Sequence, residues 1–130
     1  MDLFPVFMDL TGRDCLVVGG GNVAARKVSP LVRAGARVQV VAPQLCAKLA
    51  VQHSAGTITH SAREFEEADV EGKALVIAGT SQEAVNRRVS EFAKARNIPV
   101  NVVDHPELCS FIVPSIINRS PVQVAVSSGG

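Results

Sequence analysis

Cys15-Leu16-Val17-Val18-Gly19-Gly20-Gly21-Asn22-Val23-Ala24 is a short apolar run that meets three consecutive glycines and then opens a helix. Bounded by Asp14 on one side and by the glycines on the other, the run reads as a buried strand. Beyond Gly21, the positions Ala24, Val28, Leu31, Val32 and Gly35 follow the spacing of a single helix face, with Arg26, Lys27 and Arg33 mostly off it. Pro30 falls inside this pattern and is expected to bend the helix, because it removes a backbone hydrogen bond. Ala34-Gly35-Ala36 ends it. Strand, glycine turn and amphipathic helix in that order give G-x-G-x-x-A its structural context.

The same alternation continues outward. Arg37 to Val41 is a second strand, closed by Ala42-Pro43, and a short helix runs from about Gln44 to His53. Thr57 to His60 alternates as a weaker strand. Ser61 to Gly72 carries Glu64, Glu66, Glu67, Asp69 and Glu71 and is expected to be a solvated connection. Ala74 to Ala78 is the next buried strand, and Gly79-Thr80-Ser81 turns into a helix bearing Val85, Val89 and Phe92 on one face. Ser81 is the expected N-cap, although Glu83 comes one residue too early for a capping box. Ile98 to Val103 is a fifth strand that ends at Asp104. The fold class is therefore α/β, a Rossmann-like parallel sheet with helices on both faces.

From Ser110 onward the pattern changes. Phe111 to Ile117 and Val122 to Val126 are strand-like with no helix between them, and Asn118-Arg119-Ser120-Pro121 is a turn by composition. The expected organisation is a dinucleotide-binding domain over 1–113, with 114–130 as the first strands of a second, dimerisation module. The chain stops at Ser127-Ser128-Gly129-Gly130, which reads as a loop, so the sequence is taken as a fragment.

Composition narrows the function. The 130 residues are 47% hydrophobic and 19% charged, enough apolar material for a core and inconsistent with a disordered chain. Thirteen basic residues against twelve acidic ones give +1, which does not supply the broad positive field of a nucleic-acid binder. Aromatics are 4% with no Trp or Tyr, which argues against a base-stacking platform. No apolar run reaches membrane-helix length, and Met1-Asp2-Leu3-Phe4-Pro5 lacks the features of a signal peptide. Cys15, Cys46 and Cys109 are odd in number and far apart, so neither a disulfide framework nor a structural zinc site is expected. Cys15 reads as a small buried thiol. A reducing, cytoplasmic setting fits.

In the glycine turn, Gly19 permits the tight bend, Gly21 admits a pyrophosphate to the backbone, and Ala24 lets the helix lie close to the strand. The N–H groups of Asn22 and Val23 would then face the phosphates at the positive helix end. A plain turn in an α/β protein accounts for the same glycines. The carboxylate that usually binds the adenosine ribose after the second strand is missing, since Val41-Ala42-Pro43-Gln44 stands there. Backbone groups of Pro43 and Gln44 can take over that contact. No arginine follows at once to hold a 2′-phosphate, and Arg37 is at the wrong end of the strand, so these residues do not separate NAD from NADP.

Taken together, several segments resemble the N-terminal half of the sirohaem synthase family. They are Asp14 to Gly21, Ala25-Arg26-Lys27, Val85-Asn86-Arg87-Arg88-Val89, Asn101-Val102-Val103-Asp104, Ser110 to Ser115, and Arg119-Ser120-Pro121 with Val124 to Gly130. The resemblance spans nearly the whole chain, and Asn101 to Gly130 is its most specific part. It implies an NAD-dependent precorrin-2 dehydrogenase that yields sirohydrochlorin, and a ferrochelatase that then inserts ferrous iron, as substrate, to give sirohaem. It also implies NAD as cofactor, with Thr80 joining Gly19, Gly21, Asn22, Val23, Pro43 and Gln44 in binding it, and a homodimer built through the module beginning near Pro114. Some members of the family continue into a uroporphyrinogen methyltransferase domain.

Hydride removal from the macrocycle must be accompanied by loss of a proton, and Asp104 ends the last parallel strand, where ligands of open α/β sheets bind. Locally, Asp104 fits a helix N-cap before Pro106 equally well; with the resemblance, the catalytic role is favoured. His105 stands beside it and reads as a surface residue, while His53 and His60 lie on separate elements without ligand spacing, and no resident metal is expected. The tetrapyrrole is rich in carboxylates, so cations are expected along its cleft. Arg26, Lys27, Arg87, Arg88 and Arg119 are candidates, though each taken singly reads as solvated charge. Ser127 and Ser128 are expected to contact substrate or accept a phosphate, and a flexible small-residue loop explains them as well. The competing reading is a non-catalytic NAD-binding module that reports redox state to a partner.

Overall fold

In the computed structural model, which describes residues 2–129, strand β1 (Asp14–Val18) is the middle strand of a five-stranded parallel sheet. Its sequence accounts for that position, because Cys15 to Val18 are all buried and both faces of the strand need a cover. The other strands are β2 (Arg37–Val41), β3 (Thr59–Ser61), β4 (Leu75–Ala78) and β5 (Val100–Val102), and their order is β3-β2-β1-β4-β5. The order reverses between β1 and β4, which is the switch point where a Rossmann sheet binds ligand.

Helices α1 (Asn22–Arg33) and α2 (Ala47–Ser54) cover one face, packing Ala24, Val28, Leu31 and Leu49 on Cys15 and Val17. Helix α3 (Glu83–Ala95) covers the other, packing Val89 and Ala93 on Leu16 and Val18. The fold class expected from the sequence is the one observed. Helix α1 runs through Pro30 to Arg33, so the ring is accommodated within the helix and does not end it. Among the described residues no helix is long and apolar enough to cross a membrane. Cys15, Cys46 and Cys109 are free thiols, and burial pushes that of Cys15 above its ordinary pKa.

Strand register levels one edge of the sheet. Val18 pairs with both Val41 and Ala78, and Ala78 pairs with Val102. The carboxyl ends of four strands are therefore aligned, and the loops that leave them share one rim.

Several boundaries move, among them that of β3, which begins at Thr59 and not at Thr57. Helix α2 begins at Ala47, because the preceding residues stay extended along the rim and the Cys46 N–H donates to the Gly20 carbonyl at 2.7 Å. Strand β5 is shorter than expected, three residues long.

The acidic connection 61–72 is solvated at Glu64, Glu66, Glu67 and Glu71, as expected, and is corrected in its interior. It holds a 3₁₀ turn at Glu67–Val70, and Phe65, Asp69 and Val70 are buried. Its carboxylates other than that of Glu64 are engaged. Arg63 donates to both Asp69 oxygens at 2.6 and 2.9 Å, the Glu66 N–H donates to Asp69 at 2.8 Å, and Arg96 at the end of α3 reaches Glu67 and Glu71, each at 2.8 Å. Charge density hid the two apolar anchors, Phe65 and Val70, that seat this segment on the α3 side of the sheet.

Strands β6 (Ser115–Arg119) and β7 (Val122–Val126) form a separate antiparallel hairpin, as the sequence indicates, but β6 lies later than expected: Asn118 and Arg119 pair with Gln123 and Val122, and the turn is only Ser120-Pro121. Ile116, Ile117, Val122, Val124 and Val126 remain 42–58% exposed, and the hairpin contributes nothing to either core cluster.

The buried ion pair gives the fold a measurable acid response. The Arg63 guanidinium holds the Asp69 carboxyl below its ordinary pKa, against the opposing effect of burial. A carboxyl whose folded pKa is depressed contributes stability that is fully present above the unfolded value of ~3.9 and is lost as pH falls through the lowered one. Asp69→Asn is expected to lower the urea midpoint at pH 7 and to flatten its decline between about pH 5 and 2. An unchanged acid limb would show that the pair contributes nothing to it.

Candidate functional site

The first bend after β1 is forced by close backbone approach. Gly19 has φ +130°, and a Cβ there would stand 2.7 Å from the Gly79 carbonyl oxygen. A Cβ on Gly20 would overlap the Gln44 carbonyl oxygen. Gly20, which sequence reasoning left without a role, is thus the glycine the protein itself requires most. Gly21 is different. Its φ is −91°, and a Cβ there would meet nothing within 4 Å. No intramolecular contact needs a glycine at that position, so the space above it is open to a ligand.

Gly21 also precedes α1, and no side chain caps that helix or places an acid in its first turn. The N–H groups of Asn22 and Val23 therefore lack the usual intrahelical and capping partners and open on the crevice. A 12-residue helix with bare N-terminal donors over a glycine floor fits a dinucleotide pyrophosphate. The crevice measures about 790 Å³, within the range of ~300–1,000 Å³ usual for small-molecule sites.

Three more loops complete the walls. After β2 come Ala42, Pro43, Gln44 and Leu45, with no carboxylate for the ribose. Past β3 come Arg63, Glu64 and Phe65, which sequence reasoning missed because they lie in the stretch taken for a solvated connection. After β4 come Gly79 to Gln82. Here the expected N-cap, Ser81, is corrected. Gln82 precedes the helix without capping it, and the loop is instead held from within α3 by Asn86. The Asn86 Oδ1 accepts from the Thr80 N–H (3.1 Å) and hydroxyl (2.7 Å), while its Nδ2 donates to the Thr80 carbonyl at 3.1 Å. The buried Asn86 thereby fixes Thr80 at the rim.

The last wall is Val103, Asp104 and His105 after β5. Asp104 is exposed and has φ +65°, a region that Asp tolerates better than most side chains but that still needs support. Support comes from both sides. The Asn101 Nδ2 donates to the Phe111 carbonyl at 3.0 Å, the Val100 N–H donates to the Ser110 hydroxyl oxygen at 2.9 Å, and the Ser90 hydroxyl donates to the Leu108 carbonyl at 2.5 Å. Asp104 does not cap a helix. The 3₁₀ turn Pro106–Leu108 starts after His105, and His105 meets Glu107 at 3.2 Å. His53 and His60, distant in sequence, do meet, edge to face at 5.6 Å.

Gly19, Gly21, Asn22, Val23, Pro43, Gln44, Thr80 and Asp104 thus line one crevice. The cations expected beside them do not. Arg87 pairs with Glu83 at 3.4 Å, Arg88 stacks over Phe65 and Phe92, and neither Arg26 nor Lys27 reaches the walls. Arg119, Ser127 and Ser128 belong to the hairpin and the segment after it, outside the crevice of this chain.

Switch point, glycine floor and bare helix end together define a dinucleotide-binding α/β domain. The chain belongs to the NAD(P)-binding family, whose model matches residues 6–115, and NAD is the cofactor. It is 62% identical over all 130 residues to the sirohaem synthase of Thioalkalivibrio sulfidiphilus and 52% identical to that of Neisseria meningitidis, spanning 27% of the length of each. Among solved structures it resembles SirC, a precorrin-2 dehydrogenase, with a TM-score of 0.83 and 27% identity over 97% of this chain and 62% of that one. The resemblance to the N-terminal region of sirohaem synthase read from the sequence is borne out.

The two central glycines separate in experiment. Gly20→Ala is expected to cost about 1–3 kcal/mol of stability through overpacking, read as a drop in urea midpoint. Gly21→Asp is expected to leave that midpoint nearly unchanged yet abolish NAD binding in the full-length protein, since a carboxylate would meet the pyrophosphate. Retained NAD affinity in Gly21→Asp would put the phosphates elsewhere.

Proposed function

We propose that this chain is the cofactor-binding and catalytic part of a protein that oxidises precorrin-2 to sirohydrochlorin with NAD, and that the full-length protein then inserts ferrous iron to complete sirohaem. The observation that carries the reading is the Asp104 carboxylate, held at an unfavourable backbone angle on the crevice that also contains the glycine floor. NAD, when bound, accepts the hydride. The chain's own residues do the rest. Gly21, Asn22 and Val23 seat the pyrophosphate by backbone donors, Pro43 and Gln44 border the adenosine, and Thr80, fixed by Asn86, borders the nicotinamide side.

Loss of a hydride leaves the macrocycle cationic until a proton follows, and Asp104 takes that proton. Metal insertion asks for the same group again, because two pyrrole N–H protons must leave as iron enters. A carboxylate open to solvent can pass each proton on to water. The likeness to SirC, named as a precorrin-2 dehydrogenase, supports the oxidation step in particular.

Residues 114–130 are assigned to the start of a dimerisation module. A two-stranded hairpin with apolar residues exposed on both sides is marginal alone and suited to pairing with a second chain. On this reading Arg119, Ser127 and Ser128 approach the tetrapyrrole only in the assembled protein.

Asp104→Ala in the full-length protein is expected to bind NAD within about twofold of the parent and to lose about 10²–10⁴-fold in NAD-dependent oxidation of precorrin-2 under anaerobic conditions. Normal turnover by that variant would remove Asp104 from the mechanism. NAD binding without any precorrin-2 oxidation by the parent would leave the chain a cofactor-sensing module.

A further inference from the structure

We propose that the Arg63–Asp69 ion pair makes the crevice discriminate against NADP, by holding its one strong cation in a neutralised state. The inference rests on the dinucleotide reading and adds a specificity device to it.

Among the described residues that line the crevice, Arg63 alone is a lysine or arginine. Its position is fixed by backbone. The N–H groups of Ala42 and Arg63 both donate to the Ser61 carbonyl, at 3.2 and 2.9 Å, so Arg63 stands beside the carboxyl end of β2. That is where the fold seats the adenosine ribose, and where an arginine accommodates the 2′-phosphate of NADP.

Arg63 is not available for that purpose. Both terminal nitrogens of its guanidinium donate to Asp69, Nη1 also donates to the Glu64 carbonyl at 3.1 Å, and the Glu66 carboxylate lies 3.8 Å away. Asp69 cannot swing aside to release it. Its side chain is only 6% exposed, and the Glu66 N–H holds it at 2.8 Å. Glu64, exposed on the same wall, adds a further negative charge. The ribose end of the crevice is thus net acidic although it contains an arginine. A neutral 2′-hydroxyl is unaffected by that field, whereas a 2′-phosphate is repelled and finds no free guanidinium to pair with.

The experiment titrates NAD and NADP separately against the full-length protein by calorimetry, with no turnover required. The parent is expected to prefer NAD. Asp69→Asn, which removes the charge bound to both terminal nitrogens of Arg63 and leaves only the looser Glu66 contact, is expected to tighten NADP by roughly fivefold or more, as a charge pair of about 1 kcal/mol would, with little change for NAD. Arg63→Gln alone, which makes the ribose end more acidic, is expected to keep or sharpen the preference for NAD, and in the Asp69→Asn background to erase the gain. Should Asp69→Asn fail to fold, Glu64→Gln carries the test, since that exposed side chain holds nothing in place; a roughly two- to fivefold gain for NADP is expected there. Equal affinity of the parent for both cofactors, a gain of NADP binding in Arg63→Gln alone, or an unchanged preference in folded Asp69→Asn or Glu64→Gln would overturn the role of the pair. Failure of the parent to bind either cofactor would instead overturn the dinucleotide reading.

Discussion

Everything at the functional end of this molecule depends on three backbone segments approaching one another more closely than side chains would permit. Gly19 lies against Gly79, Gly20 lies against Gln44, and the Cys46 N–H closes on the Gly20 carbonyl. These contacts tie the loops after β1, β2 and β4 into one unit, on a rim already levelled by the pairing of Val18 with Val41 and Ala78. Packing alone would hold the strands but leave the loops free. The interlocked glycines convert a parallel sheet into a rigid floor, and the helix that rises from it presents its donors in a fixed direction.

The parts of this arrangement that could be read from the sequence are those whose signals are local. The buried run Cys15 to Val18, the helix period from Ala24 to Leu31 and the glycines between them are consecutive, and they suffice to fix the sheet type and the turn that opens on the crevice. Asp104 was readable because it ends a strand, and topology then determines which rim it joins. Gly20 was not, since its necessity comes from Gln44, more than twenty positions away, and no spacing rule predicts that approach. The segment 61–72 misled for a related reason. Its composition is that of a solvated surface, yet its carboxylates find Arg63 and Arg96, and its two apolar residues find the α3 side of the sheet. Charge density reports the exposure of most of the charges themselves, Asp69 excepted, and says nothing of the apolar residues set between them.

The loop after β4 shows how a polar residue inside a helix can serve a site through its neighbour. Asn86 is buried and directs its whole amide at Thr80, accepting twice and donating once. A serine cap would have satisfied only the helix end. Asn86 satisfies the loop, and so the crevice wall at Thr80 is anchored to the body of α3. Segment 104–111 is treated likewise by Asn101, Ser90 and Ser110. Buried polar groups here stabilise positions in the walls more than they stabilise the core, which is apolar on both faces of β1.

The charge distribution separates the two halves of the proposed reaction. On the proposed reading a pyrophosphate is held by backbone donors and a helix end, so the cofactor half of the crevice needs no free cation. Among the described residues none stands there: Arg63 is paired with Asp69, and Arg87 and Arg88 are engaged on the outer side of α3. A tetrapyrrole bearing many carboxylates has the opposite requirement, and backbone N–H groups alone do not meet it. The cations for the macrocycle must therefore come from outside these walls. The hairpin, with Arg119 at the end of β6 and apolar residues open on both faces, is the element of this chain suited to deliver one across an interface. On that argument the crevice is complete as a cofactor site within a single chain and incomplete as a substrate site until a second set of residues closes over it.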